Sequence, residues 1–185
     1  TDQVMCSSGY FQPNAGQEFC NPTTPGFYVL NPGSLNQFGC EPGTYQPNFA
    51  SSSCIEASLG YFVENSNSTN QEICISGTYQ PDYSSTSCLD SEPGYYVEND
   101  GSSTQTPCGL GTFSTSVGAT GIETCILADS GHYVDSIGAS SQSECPTGSY
   151  NSNIGSISSD DCLFADAGNV VVNPGSSTQT PCEVG

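Results

Sequence analysis

Cysteine is the residue type in this sequence with the most evident chemistry, because thiols either pair as disulfides or bind metals. The chain has 185 residues and 11 cysteines. Successive cysteines alternate between gaps of 14 and 20 residues, and the shorter gap widens to 17 in its last two instances. None are as close together as in a Cys-x-x-Cys zinc motif, so the spacing favours disulfides. The cysteines are Cys6, Cys20, Cys40, Cys54, Cys74, Cys88, Cys108, Cys125, Cys145, Cys162 and Cys182.

A finer repeat of about 17 residues lies beneath the cysteine spacing. It consists of a glycine, an aromatic residue two positions later and an asparagine-rich turn. The aromatic position is filled by Val170 in the tenth repeat and by Phe or Tyr in the other nine. We refer to positions by their distance from this glycine, for example Gly+2 for the aromatic. The glycines are Gly9, Gly26, Gly43, Gly60, Gly77, Gly94, Gly111, Gly131, Gly148 and Gly168.

The 17-residue repeat indicates which cysteines pair. Odd-numbered repeats begin and end with cysteine, whereas every even-numbered repeat has Thr, Ala or Ser at the first position and Gln at the second. The two cysteines are therefore absent together, as expected for partners in one disulfide. The alternative, pairing across the 20-residue gaps, leaves Cys6 over and does not explain the Gln residues. The first arrangement predicts Cys6–Cys20, Cys40–Cys54, Cys74–Cys88, Cys108–Cys125 and Cys145–Cys162, with Cys182 expected to pair with a cysteine further along the chain.

His132 is the single histidine and the most obvious candidate for a catalytic base, with Asp129 or Asp135 beside it. It occupies position Gly+1, which the other repeats fill with varied residues. A catalytic site also needs an oriented nucleophile, and no repeat departs from the pattern to provide one. We therefore expect His132 to be a surface residue and the protein not to be an enzyme.

Carboxylates and one sequon are the remaining candidate sites. Glu64, Glu98 and Asp135 share position Gly+4, and their hard oxygen ligands make calcium the favoured metal. The sequence lacks the run of alternating carboxylates that forms a calcium loop, so diffuse screening by cations is the alternative. Asn67 begins the N-glycosylation sequon Asn-Ser-Thr, and Ser and Thr residues cluster at the same turns. These clusters are either solvated turns or sites of O-glycans.

Composition excludes several functions. The chain has no Lys or Arg, 19 Asp and Glu, and a formal net charge of −19. Binding to nucleic acids or to anionic membranes depends on basic residues, so neither is expected. No apolar stretch is long enough to span a bilayer. The number of cysteines indicates folding in an oxidising compartment, and we expect an extracellular protein.

The sequence predicts a small, disulfide-rich, mostly irregular and β fold with essentially no helix, because no window keeps the 3.6-residue apolar period. Ten turn–strand–turn units are expected to stack as an elongated, solenoid-like rod, with the Gly+2 aromatics as its spine. Paired units define larger repeats of 34 to 37 residues. The boundaries are 1–5 (end of a preceding unit), 6–39, 40–73, 74–107, 108–144, 145–181 and 182–185 (start of a further repeat).

The unit around Cys40-Glu-Pro-Gly-Thr-Tyr45, closed by Cys54, resembles the ephrin-receptor-like cysteine-rich repeat. It is also similar to the single-disulfide module of tumour-necrosis-factor-receptor ectodomains. Long arrays of this unit resemble the shaft proteins of mastigonemes, the extracellular hairs on protist and algal flagella. The last resemblance implies a filament subunit.

These observations lead to one expected function and one alternative. We expect a structural subunit of an extracellular filament or surface appendage that assembles with copies of itself and carries glycans on Asn67 and on its Ser/Thr-rich turns. Aromatics at Gly+1, such as Tyr10, Phe27, Tyr61 and Tyr95, are expected to make the contacts between copies. The alternative is the ectodomain of a ligand-binding receptor or adhesin. Trp and Arg, which dominate many binding sites, are both absent, and this favours the filament.

Overall fold

The computed structural model describes residues 4–183, which fold into ten β-hairpins with no α-helix among them. Each hairpin pairs two strands of two residues in a separate antiparallel sheet. We number the hairpins 1 to 10 and call them odd or even accordingly. The strands are β1 Tyr10–Phe11, β2 Asn21–Pro22, β3 Phe27–Tyr28, β4 Phe38–Gly39, β5 Thr44–Tyr45, β6 Ile55–Glu56, β7 Tyr61–Phe62, β8 Glu72–Ile73, β9 Thr78–Tyr79, β10 Leu89–Asp90, β11 Tyr95–Tyr96, β12 Thr106–Pro107, β13 Thr112–Phe113, β14 Ile126–Leu127, β15 His132–Tyr133, β16 Ser143–Glu144, β17 Ser149–Tyr150, β18 Leu163–Phe164, β19 Asn169–Val170 and β20 Thr180–Pro181.

The three extra residues in hairpins 7 and 9 form short 3₁₀ turns, Ile122–Thr124 and Ser159–Asp161. The second turn begins with a capping box. The Ser158 hydroxyl accepts a bond from the backbone N–H of Asp160, and the Asp161 carboxylate accepts one from that of Ser158. Ser and Asp are residues that favour such N-terminal positions. The insertions therefore lengthen a loop without altering the strand pairs.

The chain separates into two compact units. The first comprises Thr1–Ile75, Tyr79–Leu89 and Asp100–Thr104, and the second comprises Ser76–Thr78, Asp90–Asn99 and Gln105–Gly185. Hairpins 1 to 4 belong wholly to the first unit and hairpins 7 to 10 wholly to the second.

Two residues in each hairpin adopt a positive φ, and this explains the recurring glycine. One is the glycine that defines the repeat, as at Gly60 (φ 78°), where L-residues with a side chain are strained. The other lies seven positions later, at the hairpin tip. Glycine fills the tip position in seven hairpins, whereas Ala50, Asn67 and Ser84 fill it in hairpins 3, 4 and 5.

Four backbone hydrogen bonds join each hairpin to the next within each compact unit, and we call this set the inter-hairpin ladder. In the first unit Gly9 N–H donates to Val29, Gln12 N–H to Ser34, Thr23 N–H to Gly9 and Gly33 N–H to Cys6. In the second unit hairpins 7 and 8 are joined by the four equivalent bonds. The backbone polar groups are thus paired between hairpins, as buried amides require.

The most buried positions are Gly−3 and Gly+3, not the expected aromatic spine at Gly+2. The Gly+2 aromatics are half-buried, apart from Phe113, and Val170 is 40% exposed. The backbone of the residue at Gly+3 takes part in the inter-hairpin ladder, and the side chain of this residue faces inward. In even hairpins the buried residues at Gly+3 are Val29, Val63, Val97, Val134 and Val171.

Odd hairpins have a polar side chain at Gly+3, and this side chain forms hydrogen bonds with the backbone of the tip loop. Gln46 is 5% exposed, its Nε2 donates to the carbonyl of Ser53 at 2.7 Å, and its Oε1 accepts from Asn48 N–H at 3.0 Å. Gln80 makes the same two bonds in hairpin 5. Buried amides are tolerated here because their donors and acceptors are used.

Candidate functional site

The cysteines of the odd hairpins form five disulfides, each of which joins position Gly−3 to the residue directly before the second strand of the same hairpin. The pairs are Cys6–Cys20, Cys40–Cys54, Cys74–Cys88, Cys108–Cys125 and Cys145–Cys162. Their Cα atoms are 5.6 to 5.8 Å apart, within the usual range for disulfides. This is the pairing predicted from the concerted absence of both cysteines in even repeats. Cys182 is exposed and unpaired among the described residues.

Even hairpins are closed at the same place by a glutamine, and we call this arrangement the Gln clasp. The Oε1 of the Gln at Gly+11 accepts a bond from the backbone N–H at Gly−2, thirteen residues earlier. In hairpin 8, Gln142 accepts from Asp129 N–H at 2.7 Å and donates to the Asp129 carboxylate at 2.7 Å. The other clasps join Gln37 to Thr24, Gln71 to Ser58, Gln105 to Glu92 and Gln179 to Asp166.

The partner of this glutamine was not anticipated from the sequence. The signal was present, because Gln occupies the second cysteine position in every even repeat. An amide is the side chain that can accept from a backbone N–H and donate to a carboxylate at once. The Gln clasp thus closes the hairpin by hydrogen bonds where odd hairpins use a covalent bond.

His132 lies at the start of the first strand of hairpin 8 and is half-buried. Its Nδ1 is 3.3 Å from the carbonyl oxygen of Ser130, and its ring lies over Gly175 at the tip of hairpin 10. Asp129, a proposed partner, is held by Gln142, and Asp135 is exposed. The histidine therefore packs one hairpin against another. The expectation that the protein is not an enzyme remains a prediction.

The three calcium candidates are each exposed, on different hairpins. Glu64, Glu98 and Asp135 follow the first strands of hairpins 4, 6 and 8. Within residues 4–183 no group of three or more His, Cys, Asp or Glu side chains is positioned to hold a metal ion. Calcium requires six to eight oxygen ligands, so a single exposed carboxylate is a weak ligand set.

Asn67 occupies the tip of hairpin 4 with a positive φ of 61° and an exposed side chain. Its backbone N–H donates to the carbonyl of Cys40 at 2.8 Å, and its side-chain oxygen lies against Gly39. Asparagine tolerates this conformation better than most residues. The sequon is therefore displayed on a defined turn.

The expected contact aromatics at Gly+1 are used inside the chain. In the second compact unit the Tyr95 ring lies over Gly138, where an added Cβ would be 2.7 Å from ring atoms. In the first unit Tyr61 lies near Gly101 at the tip of hairpin 6. Both tyrosines are half-buried. The structure thus places these rings against glycines of other hairpins and makes them poor candidates for contacts between copies.

Apolar side chains are exposed instead at position Gly+6 in hairpins 3, 5, 7, 8 and 9, the one in hairpin 8 being Ile137, 65% exposed. Phe49 and Tyr83 in the first unit are 65% and 61% exposed, and Val117 and Ile154 in the second are 63% and 65% exposed. Single exposed apolar side chains are common on protein surfaces, so these positions do not by themselves mark a binding site.

No helix in the part of the chain that the structure describes is long and apolar enough to cross a membrane. The sequence matches no protein-family model, and a search of curated proteins found none that is similar to it.

Proposed function

We propose that this chain is a structural subunit of an extracellular filament or surface appendage, assembled from copies of itself. The observation that supports this proposal is that the same hairpin and the same set of inter-hairpin bonds recur along each compact unit. Near-identical hairpins present near-identical surfaces at regular intervals. A contact repeated between such surfaces forms an open polymer when its rotation does not close a ring.

In this proposal the hairpins continue the same stacking to form an elongated, solenoid-like rod. Each hairpin contributes the same ladder to its neighbour, which is how repeat proteins gain stability from nearest-neighbour interfaces. Five disulfides over 185 residues are typical of proteins exposed to oxidising surroundings, and they support an extracellular location. Glycans on Asn67 and on the Ser/Thr-rich turns would be displayed on the rod surface.

The proposal includes a structural rather than an enzymatic role. His132 and Gln142 are both engaged in holding hairpins, and Asp129 is held in turn by Gln142. Side chains held by hydrogen bonds of this kind stabilise the hairpins. The resemblance to mastigoneme shaft proteins supports the same role.

Negative-stain electron microscopy of the unreduced protein tests the proposal. We expect filaments with a regular axial repeat at high protein concentration. The control is the same sample after reduction and alkylation, which should lose the filaments because the odd hairpins are no longer cross-linked. Separate particles at every concentration and ionic strength would contradict the proposal and favour the ectodomain of a receptor or adhesin.

A further inference from the structure

Odd and even hairpins form the same bonds with their neighbours and differ in how each hairpin is closed. In the second compact unit, hairpin 7 is closed by the disulfide Cys108–Cys125. Hairpin 8 is closed by Gln142, whose amide bonds both the backbone N–H and the carboxylate of Asp129. Hairpins 9 and 10 repeat this alternation, and the first unit has it in hairpins 1 to 4. Because the inter-hairpin ladder is the same at each junction within a unit, the closures are what distinguish the hairpins.

The tip loop is also held differently in the two kinds of hairpin. In hairpin 9, the Asn151 amide donates to the Ser156 hydroxyl at 2.7 Å and accepts from Asn153 N–H at 3.0 Å. Even hairpins have a valine at this position, such as Val134, which is 2% exposed and cannot bond the tip. An even hairpin therefore opens by breaking hydrogen bonds and exposing one valine, with no covalent bond to prevent it. The return of that valine from water favours reclosure.

Tension along the chain acts on the two closures in different ways. In an odd hairpin the force passes through the disulfide, so the enclosed loop, spanning 14 or 17 positions, cannot extend. In an even hairpin the same force reaches the Gln clasp and then separates two strands of only two residues each. These hydrogen bonds meet the force one after another, and each breaks more easily than a covalent bond. Forced opening is governed by the rate of unfolding, which the clasp sets in even hairpins.

We infer that the even hairpins are the extensible elements of this protein, which open singly under tension and reclose, while the disulfide loops between them stay closed. The inference rests on the proposed function, because a filament subunit is where the chain would be under tension. In repeat proteins each unit contacts only its neighbours, so one hairpin can open at the expense of its own interfaces.

The length that each opening releases follows from the chain itself. The two closing positions of an even hairpin, Ala128 and Gln142 in hairpin 8, are 14 residues apart, as are the cysteines of hairpins 1, 3 and 5. At about 3.4 Å per extended residue, opening lengthens the chain by about 4 nm. A hairpin of this size reforms within microseconds once the tension falls, so the extension is reversible.

Single-molecule force spectroscopy of the full chain, held by handles fused to its two ends, tests this inference. The variant A128C/Q142C, folded with oxidised glutathione, replaces the clasp of hairpin 8 with a disulfide. The matched control A128S/Q142S removes the clasp without a cross-link, and serine already fills the first position in hairpin 6 as the buried Ser91. A57C/Q71C makes the covalent change in hairpin 4 of the first unit. Mass spectrometry and circular dichroism confirm the new disulfides and the fold.

We expect the wild type to lengthen in steps of about 4 nm that reverse on relaxation, and each cysteine variant to lose one step. In A128S/Q142S the number of steps should not change. The waiting time before the first step should fall severalfold at constant force, because one of five even hairpins then opens about tenfold faster. Reduction of the wild type should add steps from the odd hairpins.

Two results would overturn the inference. One is the release of several hairpins, or of a whole compact unit, in a single event. The other is a waiting time that removal of the clasp leaves unchanged.

Electron microscopy of the same samples separates this inference from the proposed function. Filaments whose subunits show no hairpin-sized steps would overturn the inference and leave the proposed function standing. Hairpin-sized steps in a chain that forms no filaments would contradict the proposed function and still support the opening of single even hairpins.

Discussion

Gln142 holds Asp129 by two hydrogen bonds of 2.7 Å, one from the Asp129 backbone N–H and one to its carboxylate. Gln142 occupies the position of the second disulfide cysteine of hairpins 7 and 9, and Asp129 is one residue after the position of the first. Even hairpins are thus closed by reversible bonds and odd hairpins by covalent ones. This difference can be tested directly.

Replacing Gln142 with Ala should destabilise the protein by about 1–2 kcal/mol, because two hydrogen bonds are lost, one of them to a charged group. Urea unfolding, followed by circular dichroism, measures the change. Gln17→Ala is the control, since Gln17 is an exposed glutamine at the tip of hairpin 1 rather than at a clasp position. Its effect should stay within about 0.5 kcal/mol. Equal effects of the two substitutions would argue against the Gln clasp.

A disulfide introduced into an even hairpin should form when the variant folds in oxidising surroundings, where an oxidant such as oxidised glutathione accepts the two electrons. Ala57 and Gln71 occupy the positions of Cys40 and Cys54 in the preceding hairpin and are the same 14 residues apart. Ala57 is buried, and Cys40 and Cys74 fit the same position. The variant A57C/Q71C should gain up to about 3 kcal/mol from closing a loop of this length, less the contribution of the lost clasp.

Mass spectrometry under non-reducing conditions detects the new bond as the loss of two hydrogens. The variant A57S/Q71S removes the clasp without a cross-link and should be less stable than the wild type. Two titratable thiols in addition to that of Cys182 would show that even hairpins do not share the geometry of odd ones.

Gly60→Ala should be far more damaging than Gly148→Ala, although both glycines have a positive φ, 78° and 85°. A Cβ on Gly60 would overlap the backbone carbonyl of Gly101, whereas one on Gly148 meets nothing within 4 Å. Gly148→Ala should therefore cost only the conformational strain, about 1–2 kcal/mol. Gly60→Ala must in addition displace a neighbouring hairpin. Similar unfolding midpoints for the two variants would contradict the packing of Gly60 against the tip of hairpin 6.

Asn67 should carry an N-linked glycan when the protein is secreted from a eukaryotic host. Thr69→Ala destroys the sequon and leaves Asn67 in its positive-φ turn, so the mass should fall by that of the glycan. Ser68→Ala keeps the sequon and serves as the control. A wild-type chain whose mass matches its sequence would show that the site is not used.

The disulfide pairing and the position of the glycine turns could be predicted because both depend on local signals. Cysteines missing in pairs point to partners within one repeat, and a glycine at the same position in every repeat points to one backbone conformation. The buried face could not be predicted in the same way. Strands of two residues, such as Tyr95–Tyr96, are too short for an alternation of polar and apolar residues to show which side faces inward.

The Gln clasp had a signal in the glutamine itself, but its partner is a backbone N–H at Gly−2, a position that different residues fill in the even hairpins. The Tyr95–Gly138 contact depends on how hairpins are brought together by backbone hydrogen bonds, and such bonds leave no mark on side-chain identity. From the sequence alone, Tyr95 at Gly+1 is expected to contact other copies of the chain. Its environment is set by a tip residue 43 positions along the chain, which the spacing of the repeat does not indicate.

The inter-hairpin ladder has a consequence for how this protein can change over generations. Its bonds run between main-chain groups, so one hairpin can be exchanged for another of different sequence and still fit its neighbours. Mutations that alter exposed tips then leave the joints between modules intact. A gene encoding such a chain is free to gain or lose whole modules, and to vary the outer surface, while inheriting the same scaffold.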